Sequence, residues 1–287
     1  MQPVAVPEQM QCAAQQQPAL AAKLEAHETW LVRTFGVPIE YRYDTDCRFT
    51  PAWLGETPPH RIYFTQGAAL DSFLWEWACF LTALTLQGEA IQARGWLPYF
   101  GPLSLGAVCE LHRQHGFVKV ASSRRRQGRD LATVIAKQFR LIQQIPLVLG
   151  RTVLHMSLEA RLARDFPEIN CHVSPLRRKH WDPGAHAKFK EAMTELLPVR
   201  IARRWWSVKA ARALLLDRLM GTRHEDLFAG FGGGKLARTI ADYCRGALAQ
   251  MPPGGEYEIM RRVGQLARLQ DFENPQQVPV TLFRAAP

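Results

Sequence analysis

Long hydrophobic runs are missing from this 287-residue chain: no apolar stretch approaches the roughly 20 residues that cross a bilayer as a helix. Paired cysteines are missing too. Cys12, Cys47, Cys79, Cys109, Cys171 and Cys244 are widely scattered with no CxxC pair. They read as buried thiols of a reducing compartment, which excludes a disulfide framework. The first 17 residues lack the basic start and apolar stretch of a secretory signal, so the expected location is cytoplasmic and no membrane partner is expected. Charge is neither scarce nor dominant at 22%, and hydrophobic residues reach 47%, so the chain can bury a core as one large domain or two smaller ones.

Cofactor signatures are also absent. A phosphate loop places four residues between its first glycine and the Gly-Lys pair, then a Ser or Thr for Mg²⁺. Here three residues separate Gly230 from Gly234-Lys235, and Leu236 stands where the hydroxyl is needed. The dinucleotide fingerprint fails on spacing as well. The segment RRRQGRD has a superficial likeness to the pyrophosphate turn of acetyltransferases, but the Asp130 carboxylate would repel phosphates there. Cys109, His112 and His115, with Cys171, His172 and His180 downstream, are too irregular for a zinc motif. Asp44 and Asp46 share a strand face and read as a solvated pair. No cofactor and no metal is therefore expected, and no catalytic residue is assigned.

What is abundant is arginine, unevenly placed. Residues 1–100 carry a net charge of −4 and residues 101–287 a net of +14. Arginine presents a planar fork of donors that matches phosphate and stacks on bases. A lopsided, arginine-heavy chain points to a polyanionic partner, either RNA or DNA.

Pattern along the chain divides it into three parts. Residues 1–20, rich in Gln, Pro and Ala, read as a flexible leader. Residues 21–121 read as an α/β part. It has a helix at 21–35, strands at 37–50 and 61–65, and a helix at 71–87 whose Phe73, Leu74, Trp77, Phe80, Leu81 and Leu84 fall on one buried face. Residues 95–106 read as loop and 117–121 (FVKVA) as a strand. Residues 122–287 read as a basic, mainly helical part. Leu131, Val134, Ile135, Gln138, Leu141, Ile142 and Ile145 form a helical stripe, with Arg124, Arg125, Arg126 and Arg129 crowding its start, Asp130 capping it, and Lys137 and Arg140 further along. Residues 148–156 read as a strand, 157–166 as a short helix with Arg161 and Arg164, and 174–184 as a loop with Arg177, Arg178 and Lys179. Helices are expected at 185–197, 210–220, from about 235, and at 259–269. Residues 199–206 (VRIARRWW) read as a strand with Arg200, Arg203 and Arg204 beside two tryptophans that either stack bases or pack in the core. Gly230, Gly232, Gly233, Gly234 and Lys235 form a glycine loop that can bring backbone N–H groups to a phosphodiester.

The order of these features, with LDSFLW at 70–75, FVKVASS at 117–123 and MGTRHEDLFAGFGGGKL at 220–236, resembles the layout of the CRISPR-associated RAMP proteins over about residues 37–240. It is most similar to the type IV subunits that hold or process guide RNA. That resemblance implies an α+β fold with a ferredoxin-like (RRM-like) core and helical insertions. It implies guide RNA and the other subunits of a ribonucleoprotein as partners, with the glycine loop and the arginine helix as contact surfaces. It leaves two activities open: a non-catalytic subunit that holds the RNA handle, or a metal-independent endoribonuclease using a histidine such as His60, His112, His115 or His180. A stand-alone DNA-binding protein of a mobile element is the other expectation.

Overall fold

The computed structural model describes residues 8–45, 47–53, 59–65, 68–169, 193–221 and 234–280. They form a mixed α+β protein, predominantly helical, with two small sheets. The chain divides into two compact units. The first is Met1–Leu97, Leu158–His180 and Val278–Pro287; the second is Pro98–Ser157 and Trp181–Gln277. Among the described residues, no helix is long and apolar enough to cross a membrane.

The first unit opens with α1 (Glu8–Gln16), where a loose leader was expected. Met10 and Ala13 are buried, so this stretch is part of the packed structure. Pro18 starts α2 (Pro18–Phe35), and Gly36 ends it at φ 71° with its N–H on the Val32 carbonyl. Strands β1 (Ile39–Asp44), β2 (Arg48–Thr50) and β3 (His60–Thr65) make a sheet of order β1-β3-β2. β1 runs parallel to β3, from Ile39 opposite His60 to Asp44 opposite Thr65, and β2 runs antiparallel to β3. Along β3, His60, Ile62 and Phe64 point inward in strict alternation.

Helix α3 (Leu70–Arg94) is longer than its apolar stripe predicts, yet the stripe falls where expected, with Phe73, Leu74, Trp77, Leu81 and Leu84 buried. Phe73 and Trp77 are core, with Phe64 packing on Phe73 at 4.5 Å between ring centroids, while Phe80 of the expected stripe is half-buried. Gly88 lies against the Phe35 ring, where an added Cβ would come within 2.5 Å.

Within the second unit four elements depart from the sequence reading. The first is β4 (Trp96–Phe100), which lies where a loop was expected and pairs with β5 (Pro275–Pro279). The others are helices where strands were expected. The segment FVKVA is the start of α5 (Phe117–Arg126), following α4 (Leu105–Gln114), because Phe117 and Ala121 are one turn apart and both buried. Residues 148–156 belong to α6 (Leu131–Asp165), which runs through Pro146. Ile142, Ile145, Leu149, Val153 and Met156 are all buried at helical spacing, and that burial outweighs their strand propensity. VRIARRWW begins α7 (Val199–Met220), burying Ile201, Trp205 and Val208 on one side. Helices α8 (Gly234–Ala249) and α9 (Glu256–Ala267) and a 3₁₀ turn (Gln270–Phe272) complete the unit. The chain crosses between the two units within β4, α6 and β5.

Gln138 organises the centre of the second unit. It is fully buried on α6 and meets the His112 ring at 2.8 Å. Its amide donates to the carbonyls of Phe117 (3.2 Å) and Leu196 (2.9 Å).

Candidate nucleic-acid interface

The arginine cluster expected at a helix start sits instead at a helix end. Arg124, Arg125 and Arg126 form the last turn of α5, where cations favour the helix dipole. Gly128, at φ 78°, then turns the chain. Asp130 starts α6 by accepting from the Thr133 backbone N–H at 2.8 Å and its hydroxyl at 2.6 Å, bonds that hold its carboxyl below the usual range. Arg124 is engaged: its Nε donates to the Glu195 carbonyl (2.9 Å) and its Nη1 to Gln127 (2.7 Å). Arg125, Arg126 and Arg129 are exposed and carry no ion pair among the described residues, and Lys137 and Arg140 are exposed further along α6.

Arg161 and Arg164 lie in the other compact unit and are held by carboxylates. Arg161 makes a bidentate pair with Glu89, both contacts at 3.0 Å, and a second pair with Asp165. Arg164 also pairs with Asp165, at 2.9 Å. Arg161 is mostly covered by these contacts, whereas the Arg164 side chain is 61% exposed. Arg177, Arg178, Lys179, Gly230, Gly232 and Gly233 lie outside the described residues. Gly234 and Lys235 form the exposed first turn of α8.

Both tryptophans of VRIARRWW are core, with Trp205 and Trp206 at 1% and 2% exposure, so neither is a stacking platform. The arginines of this helix face elsewhere. Arg200 and Arg204, one turn apart, line a cleft of about 490 Å³ with Gln114, His115, Gly116, Ile201, Arg268, Gln270 and Asp271. Arg203 is exposed on the same helix. The Arg204 Nη1 donates to the Arg268 carbonyl at 3.0 Å. Burial, then the neighbouring charges of Arg200 and Arg268, make the Arg204 charge harder to hold than usual.

Arg268 occupies the residue after α9 at φ 52°, the one positive φ outside glycine among the described residues. Glycine is the residue best suited to that left-handed cap. Arg268 was not singled out from sequence, and nothing local signals its meeting with the arginines of α7: Arg204 and Arg268 are 64 positions apart.

The histidines sort by environment. His112 is taken up by Gln138. His60 is buried, accepts from the Ala52 backbone N–H at 2.8 Å, and is pushed by burial down to about 4. His180 lies outside the described residues. His115 alone lines the arginine cleft. Its Nε2 is 3.4 Å from Asp271 Oδ2, within ion-pair range but not aligned as a hydrogen bond. Its ring packs on Phe272 at 4.9 Å. Among the described residues no cluster of His, Cys, Asp and Glu is placed to hold a metal ion.

No protein-family model, curated protein or solved structure matches this chain.

Proposed function

We propose that this chain is an RNA-binding subunit of a ribonucleoprotein, gripping phosphates through the basic surface of its second compact unit. One observation carries the reading. That unit holds 24 basic and 13 acidic residues, a net of +11, whereas the first unit nets −1. Around the α5–α6 turn and the cleft, five exposed or cleft-lining arginines (Arg125, Arg126, Arg129, Arg200 and Arg268) have no carboxylate bound to their side chains among the described residues. Solubility does not require such segregation, and phosphate neutralisation does.

Guide RNA as the partner follows from the RAMP resemblance. The sheet supports the ferredoxin-like part of that resemblance in one respect. Its order β1-β3-β2 is that of three strands of a ferredoxin-like sheet, but β1 runs parallel to β3 here, whereas a ferredoxin-like sheet is antiparallel throughout. The crossover helix between the first two strands is replaced here by residues 45–47.

The test is binding of a hairpin RNA by fluorescence anisotropy across a salt series, with duplex DNA as competitor. The triple variant Arg125→Ala, Arg126→Ala, Arg129→Ala is expected to bind about tenfold or more weakly and to show a shallower salt slope. Arg124 is left intact because it ties α5 to residue 195. Unchanged affinity and slope in the triple variant would remove the reading. Preference for duplex DNA would replace it with a DNA-binding protein.

The placement of His115 favours a second reading, metal-independent RNA cleavage. An imidazole in an arginine cleft can take the proton of a 2′-hydroxyl as that oxygen attacks the adjacent phosphorus, giving a 2′,3′-cyclic phosphate and a 5′-oxygen that leaves with a proton from water, while guanidinium groups stabilise the added negative charge. End-labelled RNA incubated with EDTA reports this directly. Cleavage lost in His115→Ala supports an enzyme, and intact RNA at long incubation leaves a binding subunit.

A further inference from the structure

The cleft between α7 and the end of α9 has features that a basic surface in general does not require. It is concave, its volume of about 490 Å³ suits a single nucleotide, and three arginines face one carboxylate across it. Helix ends do not alter that balance. The starts of α5 at Gly116 and α7 near Arg200 bring positive ends to the cleft, and the ends of α4 at His115 and α9 at Arg268 bring negative ones. The side chains therefore decide, with the arginines Arg200, Arg204 and Arg268 outnumbering the one carboxylate, Asp271, in the lining. An internal phosphodiester supplies one negative charge, whereas a terminal phosphomonoester supplies up to two. Arg268 adopts a left-handed backbone conformation that glycine would take without strain, so placing an arginine side chain here carries a local cost.

We infer that this cleft is a pocket for a terminal phosphate of the bound RNA, with Arg200, Arg204 and Arg268 as its ligands. The inference rests on the RNA-binding reading and deepens it. The basic turn between α5 and α6 grips the strand, and the cleft reads its end.

The experiment compares one short RNA in three forms: 5′-phosphorylated, 3′-phosphorylated and hydroxyl at both ends. Affinity is measured by anisotropy at a single salt concentration, with adenosine monophosphate as a competitor. One phosphorylated form is expected to bind about tenfold tighter than the hydroxyl form, and which one identifies the end. Arg268→Gly is expected to abolish that preference while weakening the hydroxyl form only by the modest factor that one lost cation costs. This variant suits its left-handed backbone, so a normal melting curve separates lost recognition from lost folding. Gln270→Glu, which adds a negative charge to the cleft wall, is expected to erase the preference as well.

Equal affinity for all three forms overturns the end pocket and leaves RNA binding standing. Adenosine monophosphate that competes as well as the phosphorylated strand also overturns it, since the pocket would then be a free-nucleotide site. Absence of binding to any RNA removes both readings.

Discussion

Glu273 fills the notch that Gly264 leaves on α9: a Cβ on that glycine would lie 1.2 Å from the carboxylate Oε1. Burial pushes this carboxyl up to about 7, with the Arg261 charge working against the shift and Asp271 adding to it. A raised pKa in the folded protein means that the protonated form is the one folding favours. Its contribution is complete below the ordinary glutamate range and is lost as pH rises through about 7. Glu273→Gln is therefore expected to match the parent near pH 4 and to melt higher near pH 8. The difference is on the order of 1 kcal/mol once solvent screening of this partly exposed group is allowed for. Thermal melts across that range decide it, and a constant offset at all pH values would show that the carboxyl titrates normally. Arg268 makes the opposite kind of case. Arg268→Gly is expected to leave stability unchanged or raise it by up to about 1 kcal/mol, because the left-handed cap penalises any Cβ. Gly88→Ala on α3 drives a methyl into the Phe35 ring and is expected to cost about 1–3 kcal/mol by denaturant titration.

At the level of helices and strands, legibility followed how locally each stabilising contact is encoded. The core face of α3 was readable because its apolar residues repeat within one continuous segment. FVKVA and residues 148–156 were read as strands because Phe, Val and Leu dominate them, and their burial in the second unit's core makes them helical. Pro146 reinforced the misreading, since proline removes a backbone donor within a helix. Asp130 was legible as a cap, since the bond it makes lies three residues away. The cleft was not legible, because it depends on a left-handed turn at Arg268 and on α7 being a helix. Gln138 was visible only as one member of the α6 stripe. Replacing it by leucine leaves the Phe117 and Leu196 carbonyls and the His112 ring without this partner. A loss of about 2–4 kcal/mol is expected in chemical denaturation.

Across the whole molecule, composition alone showed the excess of basic residues in the later part of the chain, and the compact units redistribute it. Arg161 and Arg164 were counted with that later part, but they fold into the first unit and are neutralised by Glu89 and Asp165. The remaining imbalance, +11 against −1, predicts that RNA affinity falls steeply with salt. A log–log slope near zero would show that the basic surface does not meet phosphates.

Two neighbouring carbonyls, those of Glu195 and Leu196, are held by Arg124 at the end of α5 and by Gln138 inside α6. Arg200 follows within the next five positions. The end of α5 and the middle of α6 are thereby tied to the backbone that leads into α7 and the cleft, with a gap between the turn and the cleft. On the proposal that both regions bind RNA, two such grips are expected to act as a gauge. Oligonucleotides too short to bridge the gap gain little from a second grip, and those just long enough gain all of it, so affinity climbs with oligonucleotide length in a single step.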